Sequence, residues 1–339
     1  MSPANSSWEQ EINLDTSFWK NKRVLITGCT GFVGSWLTAV LLDRQADITG
    51  LIRDNVPQSE LFRSGNHNRI NIVYGELSSY EMIERIIAEY EIEIIFHLAS
   101  QTIVGIANRA PLSTFETNIR GTYLLLEAAR RNNTVKGIVL ASSLKVYGDQ
   151  PVLPYTEEMP LLGFYPYDVS KSCADLLAQS YAHTYKMPII ITRCANLYGG
   201  GDLSWNRIVP GTMRSVLQGE RPIIRSDGTF KRDYLYVKDA IHGYLMAAEH
   251  VQNPEKRGEA YNFGMSEPVT ALDLVKTIIA VSDTAISEPI ILDEVHDEIK
   301  DQYFSSCKAE KELGWVPQYS LEEGLAETMA WYRDFLASL

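Results

Sequence analysis

The chain has 339 residues, 45% of them hydrophobic and 22% charged, which is typical of a globular protein with one large domain or two modest ones. Its formal net charge is -12 at pH 7. Binding to a phosphate backbone needs clustered Lys and Arg, so this charge argues against nucleic acid as a partner.

The four cysteines are widely scattered, with no Cys-x-x-Cys pair and no histidine at ligand spacing: Cys29, Cys173, Cys194 and Cys307. We expect free thiols in a reducing compartment and no metal site. No apolar run reaches the length of about 18 residues that a membrane-spanning helix requires. The polar residues 1–13 do not look like a signal peptide. These features predict a cytoplasmic protein that does not associate with a membrane.

The first predicted strand, residues 23–27, runs into a glycine-rich turn, and a helical apolar pattern follows at residues 35–42. In such a unit Gly28 permits the tight turn, Gly31 lets backbone N–H groups approach a pyrophosphate, and Gly34 allows close helix packing. The N-terminus of the helix then faces the phosphates. A purely structural glycine turn is the alternative. The predicted cofactor contacts in this turn are Gly28, Gly31, Phe32, Val33 and Gly34.

The second predicted strand, residues 47–52, ends in Arg53 and Asp54. An acidic residue about 20 positions after the glycines would bind the adenosine ribose of NAD. Arg53 would instead pair with the 2′-phosphate of NADP. We predict NAD as the cofactor, with NADP as the alternative.

Further strand patterns at residues 71–74, 92–98 and 137–142 alternate with helical patterns at residues 81–90 and 118–131. This alternation predicts an α/β fold with a Rossmann-like, doubly wound parallel sheet. Ligands of such sheets lie beyond the carboxyl ends of the strands, so the residues that follow the strands are candidates for the site. The predicted cofactor contacts there are Glu76, Leu77, Leu98, Ala99 and Ser100, and the predicted substrate contacts are Gln101 and Ser143.

Tyr167 and Lys171 lie four residues apart, just after Pro166, at the start of a long amphipathic run. In a helix that begins there, both side chains project from one face. A lysine ammonium beside a phenol favours the phenolate, which can accept a proton from a hydroxyl group. The alternative is an exposed tyrosine and a solvated lysine, because Tyr-x-x-x-Lys is frequent by chance.

The C-terminal half has more turns and shorter apolar runs, which predicts a smaller substrate-binding domain. We predict a dinucleotide-binding domain at residues 1–190, to which residues 233–265 return, and a mainly substrate-binding domain at residues 191–339. Arg214, Arg225, Lys231 and Arg232 are cations that could clamp a diphosphate. Each of them could equally be a solvated surface charge.

The motifs follow one another in a characteristic order: Gly28-x-x-Gly31-x-x-Gly34, His97-Leu-Ala, Asn118-x-x-Gly-Thr, Ser143, Tyr167-x-x-x-Lys171 and Arg193-x-x-Asn196. In this order they resemble the extended short-chain dehydrogenases/reductases that act on nucleotide sugars. The resemblance covers about residues 18–332. Within that group, the segments that begin at Tyr165 and Asn196 are most similar to those of CDP-glucose 4,6-dehydratases.

The resemblance implies a nucleotide-diphosphate hexose as substrate, with CDP as the favoured nucleotide, and a homodimer formed by the helices after Asn118 and Tyr167. It implies that Tyr167, with Lys171 and Ser143, takes the proton of the sugar 4-hydroxyl while hydride passes from C4 to the nicotinamide. Lys171 would also hold the nicotinamide ribose. The other contacts that it implies are Asn118 for the cofactor and Asn196 and Arg232 for the nucleotide diphosphate.

One segment departs from the dehydratase pattern. Dehydratases carry an Asp that protonates the departing C6 hydroxyl, followed by a Glu or Lys that removes the C5 proton. Here Lys145 matches the basic position, but the acid position is Leu144, and a lost general acid costs about 10²–10⁴-fold in rate. We predict an enzyme like the CDP-glucose 4,6-dehydratases. The alternatives are a 4-epimerase, a C3 or C5 epimerase with Lys145 as base, and a non-catalytic, cofactor-binding regulatory protein.

Overall fold

A seven-stranded sheet lies at the centre of the structure, a computed structural model that describes residues 16–286, 288–294 and 298–339. The strands are β1 (Arg23–Thr27), β2 (Asp47–Ile52), β3 (Asn71–Tyr74), β4 (Ile94–His97), β5 (Gly137–Ala141), β6 (Ile189–Cys194), β7 (Asn196–Tyr198), β8 (Ile223–Ile224), β9 (Lys231–Arg232), β10 (Tyr234–Tyr236), β11 (Ala260–Phe263), β12 (Val269–Thr270), β13 (Ile290–Ile291) and β14 (Asp301–Gln302). The sheet has the order β11-β6-β5-β4-β1-β2-β3. The pairings from β3 through β2, β1, β4 and β5 to β6 are all parallel. The predicted doubly wound sheet is confirmed.

The helices precede, separate or follow these strands along the chain. They are α1 (Thr16–Trp19), α2 (Phe32–Asp43), α3 (Glu60–Arg63), α4 (Tyr80–Glu89), α5 (Val104–Arg109), α6 (Pro111–Phe115), α7 (Gly121–Arg130), α8 (Pro166–Tyr185), α9 (Ile208–Leu217), α10 (Val237–His250), α11 (Ala271–Ser282), α12 (Cys307–Leu313) and α13 (Leu321–Ala337). Short 3-10 turns occupy Asn66–Arg69, Leu144–Tyr147 and Pro254–Lys256, and a π-helical turn occupies Glu116–Arg120.

The central strands β1, β4, β5 and β6 are largely buried, because their continuous apolar runs leave no polar face for solvent. All of β4 and the first four residues of β5 are buried. Ile95, Ile138 and Ile189, on three neighbouring strands, belong to one hydrophobic core. Full burial of such a side chain contributes about 1.5–3 kcal/mol. The core therefore fixes the carboxyl ends of the strands, and the candidate site is built from those ends.

The chain divides into two compact units. The first contains residues up to 146, together with 163–192 and 241–260, and the second contains residues 147–162, 193–240 and 261–339. The first unit therefore carries most of the sheet, the glycine turn and α8. The simpler division at residue 190 that the sequence suggests stays a prediction.

In the part of the chain that the structure describes, no helix combines the length and the apolar character needed to cross a lipid bilayer. Residues 1–13, which the sequence predicts not to be a signal peptide, lie outside the described residues. All four cysteines are free thiols, and Cys29 and Cys194 are buried.

Candidate active site

The glycine turn between β1 and α2 brings three backbone segments very close together. Gly28 has a φ of 79°, a conformation that favours glycine. A Cβ atom on Gly28 would lie 2.8 Å from the backbone nitrogen of Ala99, and a Cβ on Gly34 would collide with the Gly28 carbonyl oxygen. Helix α2 begins at Phe32 behind Gly31, an exposed N-cap without a side chain. The N–H groups of the first turn can therefore bind an anionic pyrophosphate.

The strand ends beside this turn carry the other predicted cofactor contacts. Arg53 Nε donates to Asp54 Oδ2 at 2.7 Å, and both side chains are exposed. Glu76 is exposed. Leu77 is buried and packs directly against Gly121, where a side chain would collide with it. The contacts of these residues with a dinucleotide, and those of Val33, Leu98 and Ser100, stay predictions.

A chain of hydrogen bonds links the ends of β1 and β4 to α7. His97 Nδ1 lies 2.9 Å from the Thr27 hydroxyl, and His97 Nε2 lies 3.0 Å from the Thr122 hydroxyl. The Thr122 hydroxyl donates its proton to the Asn118 carbonyl oxygen, so it accepts from His97 Nε2–H. This leaves His97 Nδ1 to accept from Thr27. His97 is therefore neutral, and burial together with the charge of Lys171 lowers its pKa to about 3.

Asn118 is buried, and its amide group bridges two parts of the site. Its Oδ1 accepts from Gln101 N–H at 2.8 Å, while its Nδ2 donates to the Gln101 carbonyl at 3.1 Å and to the Ser170 hydroxyl at 2.9 Å. The Ser170 hydroxyl donates to the Tyr167 carbonyl oxygen at 2.7 Å. Asn118 lies in the π-helical turn, which replaces the start of the regular helix predicted at residues 118–131. Through Ser170, Asn118 positions the start of α8. The predicted contact of Asn118 with the cofactor and that of Gln101 with the substrate stay predictions.

Tyr167 and Lys171 are buried on one face of α8. Pro166 occupies the first turn, where its missing N–H costs no hydrogen bond. Tyr167 is 9% exposed and Lys171 is 6% exposed. Lys171 Nζ donates to the carbonyl oxygen of Ala141, the last residue of β5, at 2.8 Å. Ser143 follows two residues later and is partly buried. The structure therefore anchors the Lys171 ammonium at the strand end that carries Ser143.

The departure at Leu144 lies in the 3-10 turn that follows β5. Leu144 is 2% exposed, whereas Lys145 is partly exposed, and the Lys145 N–H donates to Ser143 Oγ at 3.2 Å. Burial raises the pKa of Asp168 to about 6, against the lowering effects of the Lys145 charge and of a hydrogen bond from the Tyr165 backbone. Sequence reasoning missed Asp168. Its position directly after Tyr167, the predicted base, was the available signal.

Asn196 and Arg232 belong to the second unit. Asn196 Nδ2 donates to the Asp233 carbonyl oxygen at 3.1 Å, because β7 and β10 pair in parallel. The Arg232 guanidinium donates to the carbonyl oxygens of residues 231, 299 and 300 and lies 3.6 Å from Glu298. The pairing places Asn196 opposite Tyr234, two residues after Arg232 in the sequence. Their contact with a diphosphate stays a prediction.

Arg214 and Arg225 also belong to the second unit. The Arg214 guanidinium carbon lies 4.9 Å from the centre of the Trp205 ring, and the Arg225 side chain is exposed. A guanidinium over an aromatic face gains a cation–π interaction. Diphosphate binding by Arg214 and by Arg225 stays a prediction.

The GDP-mannose 4,6 dehydratase family model matches residues 25–328, which is most of the chain. The chain belongs to this family. Among the similar proteins is a CDP-glucose 4,6-dehydratase of Salmonella typhimurium, which is 30% identical over 95% of this chain and 94% of the relative. The family that the motifs resemble is thereby confirmed.

Two solved structures are similar to this chain over nearly their whole length. One is a UDP-glucose 4-epimerase from Thermotoga maritima with UDP-glucose, with 28% identity, a TM-score of 0.83, and coverage of 93% of this chain and 99% of that chain. The other is a dTDP-glucose 4,6-dehydratase from Bacillus anthracis in complex with NAD, with 27% identity, a TM-score of 0.81, and coverage of 92% and 97%. The predicted enzyme class, NAD-dependent nucleotide-sugar dehydratases and epimerases, is confirmed.

NAD as the predicted cofactor is confirmed by these similarities. The glycine turn is compatible with a bound dinucleotide. The turn needs glycine at positions 28 and 34, because a side chain at either position would collide with neighbouring backbone atoms. Among residues 16–286, 288–294 and 298–339, no group of three or more His, Cys, Asp or Glu side chains is placed to bind a metal ion.

Proposed function

We propose that the chain is a nucleotide-sugar 4,6-dehydratase that acts on a CDP-linked hexose. One observation carries the proposal: Tyr167 and Lys171 are buried together on α8, and Lys171 donates to the end of β5, just before Ser143 and Lys145. The 30% identity to a CDP-glucose 4,6-dehydratase over nearly the whole chain supports the choice of substrate.

Tyr167 is the base of the first step. The Lys171 ammonium, one helical turn away, favours the phenolate, which accepts the proton of the sugar 4-hydroxyl. Ser143 binds the same oxygen and holds it in place. When bound, NAD accepts the hydride that leaves C4. Asn118 does not take part in this proton transfer. It stabilises the start of α8, which carries Tyr167, by donating a hydrogen bond to Ser170.

Lys145 serves the elimination step. The ketone at C4 acidifies the C5 proton, and Lys145, two residues beyond Ser143, takes this proton as the C6 hydroxyl leaves. Leu144 has no proton to give to that hydroxyl. The proton must therefore come from another group of this site.

A 4-epimerase is the second candidate function. Epimerisation at C4 needs the proton-transfer pair but no acid at position 144, where this chain has a buried Leu144. The similarity to a UDP-glucose 4-epimerase, at 28% identity, supports this candidate.

Incubation with CDP-, dTDP-, UDP- and GDP-hexoses, read by mass spectrometry and by absorbance of reduced nicotinamide, tests both candidates. We expect a CDP-hexose to lose one water. An unchanged mass with a new sugar isomer would instead identify an epimerase. Tyr167→Phe is the control, which should bind NAD and reduce none of it. Absence of nicotinamide reduction with every sugar would overturn both candidates and leave the non-catalytic regulatory protein.

We further propose a cytoplasmic homodimer in which α7 and α8 of each subunit pair. Tyr123 on α7 and Leu176 and Tyr185 on α8 are exposed large hydrophobic residues, and exposed apolar surface on these two helices supports the pairing. Sedimentation should give the mass of two chains. A monomer at micromolar concentration would contradict the dimer.

A further inference from the structure

Asp175 is a buried carboxylate on α8 that the proposed chemistry does not use. It lies one helical turn after Lys171, and its side chain is 0% exposed. Removal of a carboxylate from water is costly, and a well-packed apolar residue in its place is often neutral or stabilising. Neighbouring buried positions of α8 are small and apolar, at Ala174 and Ala178. Packing of the helix therefore does not account for a carboxylate at position 175.

Two donors hold the two oxygens of the Asp175 carboxylate. The Ser142 hydroxyl donates to Oδ2 at 2.7 Å, and Gln179 Nε2 donates to Oδ1 at 2.7 Å. Gln179 lies on the same helix one turn later, whereas Ser142 directly follows the last residue of β5. A hydrogen bond to an ionised carboxylate is about twice as strong as one between neutral groups. The Asp175 side chain therefore connects α8 to the end of β5.

The end of β5 receives a second hydrogen bond from α8 and one from β6. Lys171 Nζ donates to the carbonyl oxygen of Ala141 at 2.8 Å, and the Ser142 N–H donates to the carbonyl oxygen of Thr192 at 2.8 Å. Residues 141 and 142 are thus held by two neighbouring elements. Consecutive Cα atoms lie about 3.8 Å apart. The fixed position of Ser142 therefore also limits where Ser143 can lie.

We propose that Asp175 is a positioning residue for the oxidation at C4. It acts through Ser142, whose hydrogen bond holds the end of β5 where Ser143 and the Tyr167 phenol reach the same sugar oxygen. Because its carboxylate is fully buried, Asp175 acts without contacting the sugar. This inference rests on the proposed function, but only on its first step, so it applies to a dehydratase and to a 4-epimerase alike.

Asp175→Ala removes the acceptor, and the full-length protein with bound NAD is the material for the test. The substrate is the nucleotide hexose that reduces the cofactor in the unchanged protein. We expect the rate of nicotinamide reduction at saturating sugar, per NAD-binding site, to fall by about 10- to 10²-fold, because a displacement of about 1 Å can cost this much. The half-saturating sugar concentration should change by less than about threefold, since the loss falls on the geometry of the reacting atoms.

An unchanged rate per NAD-binding site in Asp175→Ala would overturn the proposal. A carboxylate that only stabilises the fold lowers the number of folded sites, whereas the rate of each remaining site stays the same. A rise in the half-saturating sugar concentration without a fall in the rate would overturn it as well, because that pattern indicates lost binding.

Asp175→Asn keeps the shape of the side chain and an acceptor. Its amide oxygen can accept from the Ser142 hydroxyl, and the Gln179 amide can turn over so that its own oxygen accepts from the new amide group. We expect this variant to keep at least about one third of the rate, since a neutral hydrogen bond replaces a charged one. A loss as large as that in Asp175→Ala would contradict the assignment of the effect to the hydrogen bond.

A double mutant tests whether Asp175 acts through Ser142. Ser142→Ala removes the donor of the same hydrogen bond and should lower the rate by a similar factor. The Ser142→Ala/Asp175→Ala double mutant should be no slower than the slower single mutant, because the second change has no bond left to break. Multiplied losses would overturn the proposal. If Asp175→Ala does not fold, Ser142→Ala provides the same measurement.

Asp239→Ala is the matched control for the loss of a buried carboxylate. Asp239 is 1% exposed in the first turn of α10 and accepts from the N–H groups of Gln318 and Tyr319 at 2.7 Å and 3.3 Å. Its replacement should lower the stability of the protein and leave the rate per NAD-binding site unchanged. An equal fall of this rate in Asp239→Ala and Asp175→Ala would contradict a specific role of Asp175.

The unchanged protein distinguishes failure of this inference from failure of the proposed function. If it reduces no nicotinamide with any nucleotide hexose, the proposed function and this inference fail together. If it reduces nicotinamide and Asp175→Ala does so equally fast, only this inference fails.

Discussion

Leu144 is buried in the turn after β5, between Ser143 and Lys145. The resemblance to dehydratases predicts an acidic residue at this position. A leucine neither gives nor accepts a proton, so the chemistry that follows the 4-ketone depends on neighbouring groups. Lys145, the partly exposed residue that follows Leu144, is the nearest titratable side chain in the sequence.

Leu144→Asp should accelerate water release from a CDP-hexose if proton delivery to the C6 hydroxyl limits the rate. We expect a gain of about 10²-fold, together with a lower free energy of unfolding, because the new carboxyl replaces a buried apolar side chain. Leu144→Asn, which has nearly the same shape without the acid, is the control. No gain in Leu144→Asp, combined with interconversion of 4-epimers by the unchanged enzyme, would favour the epimerase.

His97 makes the stability of the protein depend on pH. Its pKa is lowered to about 3 in the folded chain, by burial first and by the Lys171 charge second, against about 6.5 in the unfolded chain. The unfolded state therefore binds the proton first, and the contribution of His97 to stability, complete above about pH 6.5, is lost as the pH falls toward 3. The slope approaches about 1.4 kcal/mol per pH unit.

His97→Gln should flatten this dependence. The difference in the free energy of unfolding between pH 7 and pH 4, measured with denaturant, should be smaller in the variant by a few kcal/mol, at about 1.4 kcal/mol per pKa unit. His183→Gln replaces an exposed histidine of α8 and should leave the difference unchanged. The assignment would be wrong if both variants behaved alike.

At the scale of the element, the glycine turn and α2 act as one unit. The Gly34 position in the first turn of α2 faces the Gly28 carbonyl oxygen without room for a side chain. The hydroxyl groups of Ser35 and Thr38 donate to the carbonyl oxygens of Cys29 and Gly34. These contacts set the direction in which the helix N-terminus points.

Gly34→Ala should therefore displace the turn. We expect a loss of about 1–3 kcal/mol in stability, as for other overpacked sites, and at least about tenfold weaker NAD binding by calorimetry. Gly105→Ala is the matched control, because a Cβ atom there meets no atom within 4 Å and the position is exposed in α5. It should be neutral or stabilising by about 0.5–1 kcal/mol. Equal effects of the two changes would contradict the role of the turn.

At the scale of the whole molecule, the stability of the chain should depend on its cofactor. A ligand that binds only the folded state at 100 times its dissociation constant adds about 2.7 kcal/mol to the free energy of unfolding. We expect NAD to raise the midpoint of thermal denaturation accordingly. NADP at the same concentration should raise it less, because the Asp54 carboxylate opposes a 2′-phosphate. An equal shift with NADP would show that Arg53 dominates at this strand end.

The sequence by itself determined the parts of the protein that depend on short spacings. The strand, the glycine turn and α2 follow from local periodicity and from the backbone freedom of Gly28. Tyr167 and Lys171 are four residues apart, so the helical repeat places them on one face of the helix. The order of the motifs was sufficient to identify the family. These features could be predicted because each involves residues that are close together in the chain.

Only the tertiary structure decided which distant residues meet. Asn118 bonds to Ser170, and His97 bonds to Thr27 and Thr122, across separations that no spacing in the sequence reveals. The burial of Asp168 near Lys145 likewise depends on how α8 packs against the turn after β5. Burial and electrostatic neighbours change the protonation of a side chain, and both are properties of the packed chain. The sequence therefore determined the family and its enzyme class, whereas the fold decided which side chains are buried together around Tyr167 and Leu144.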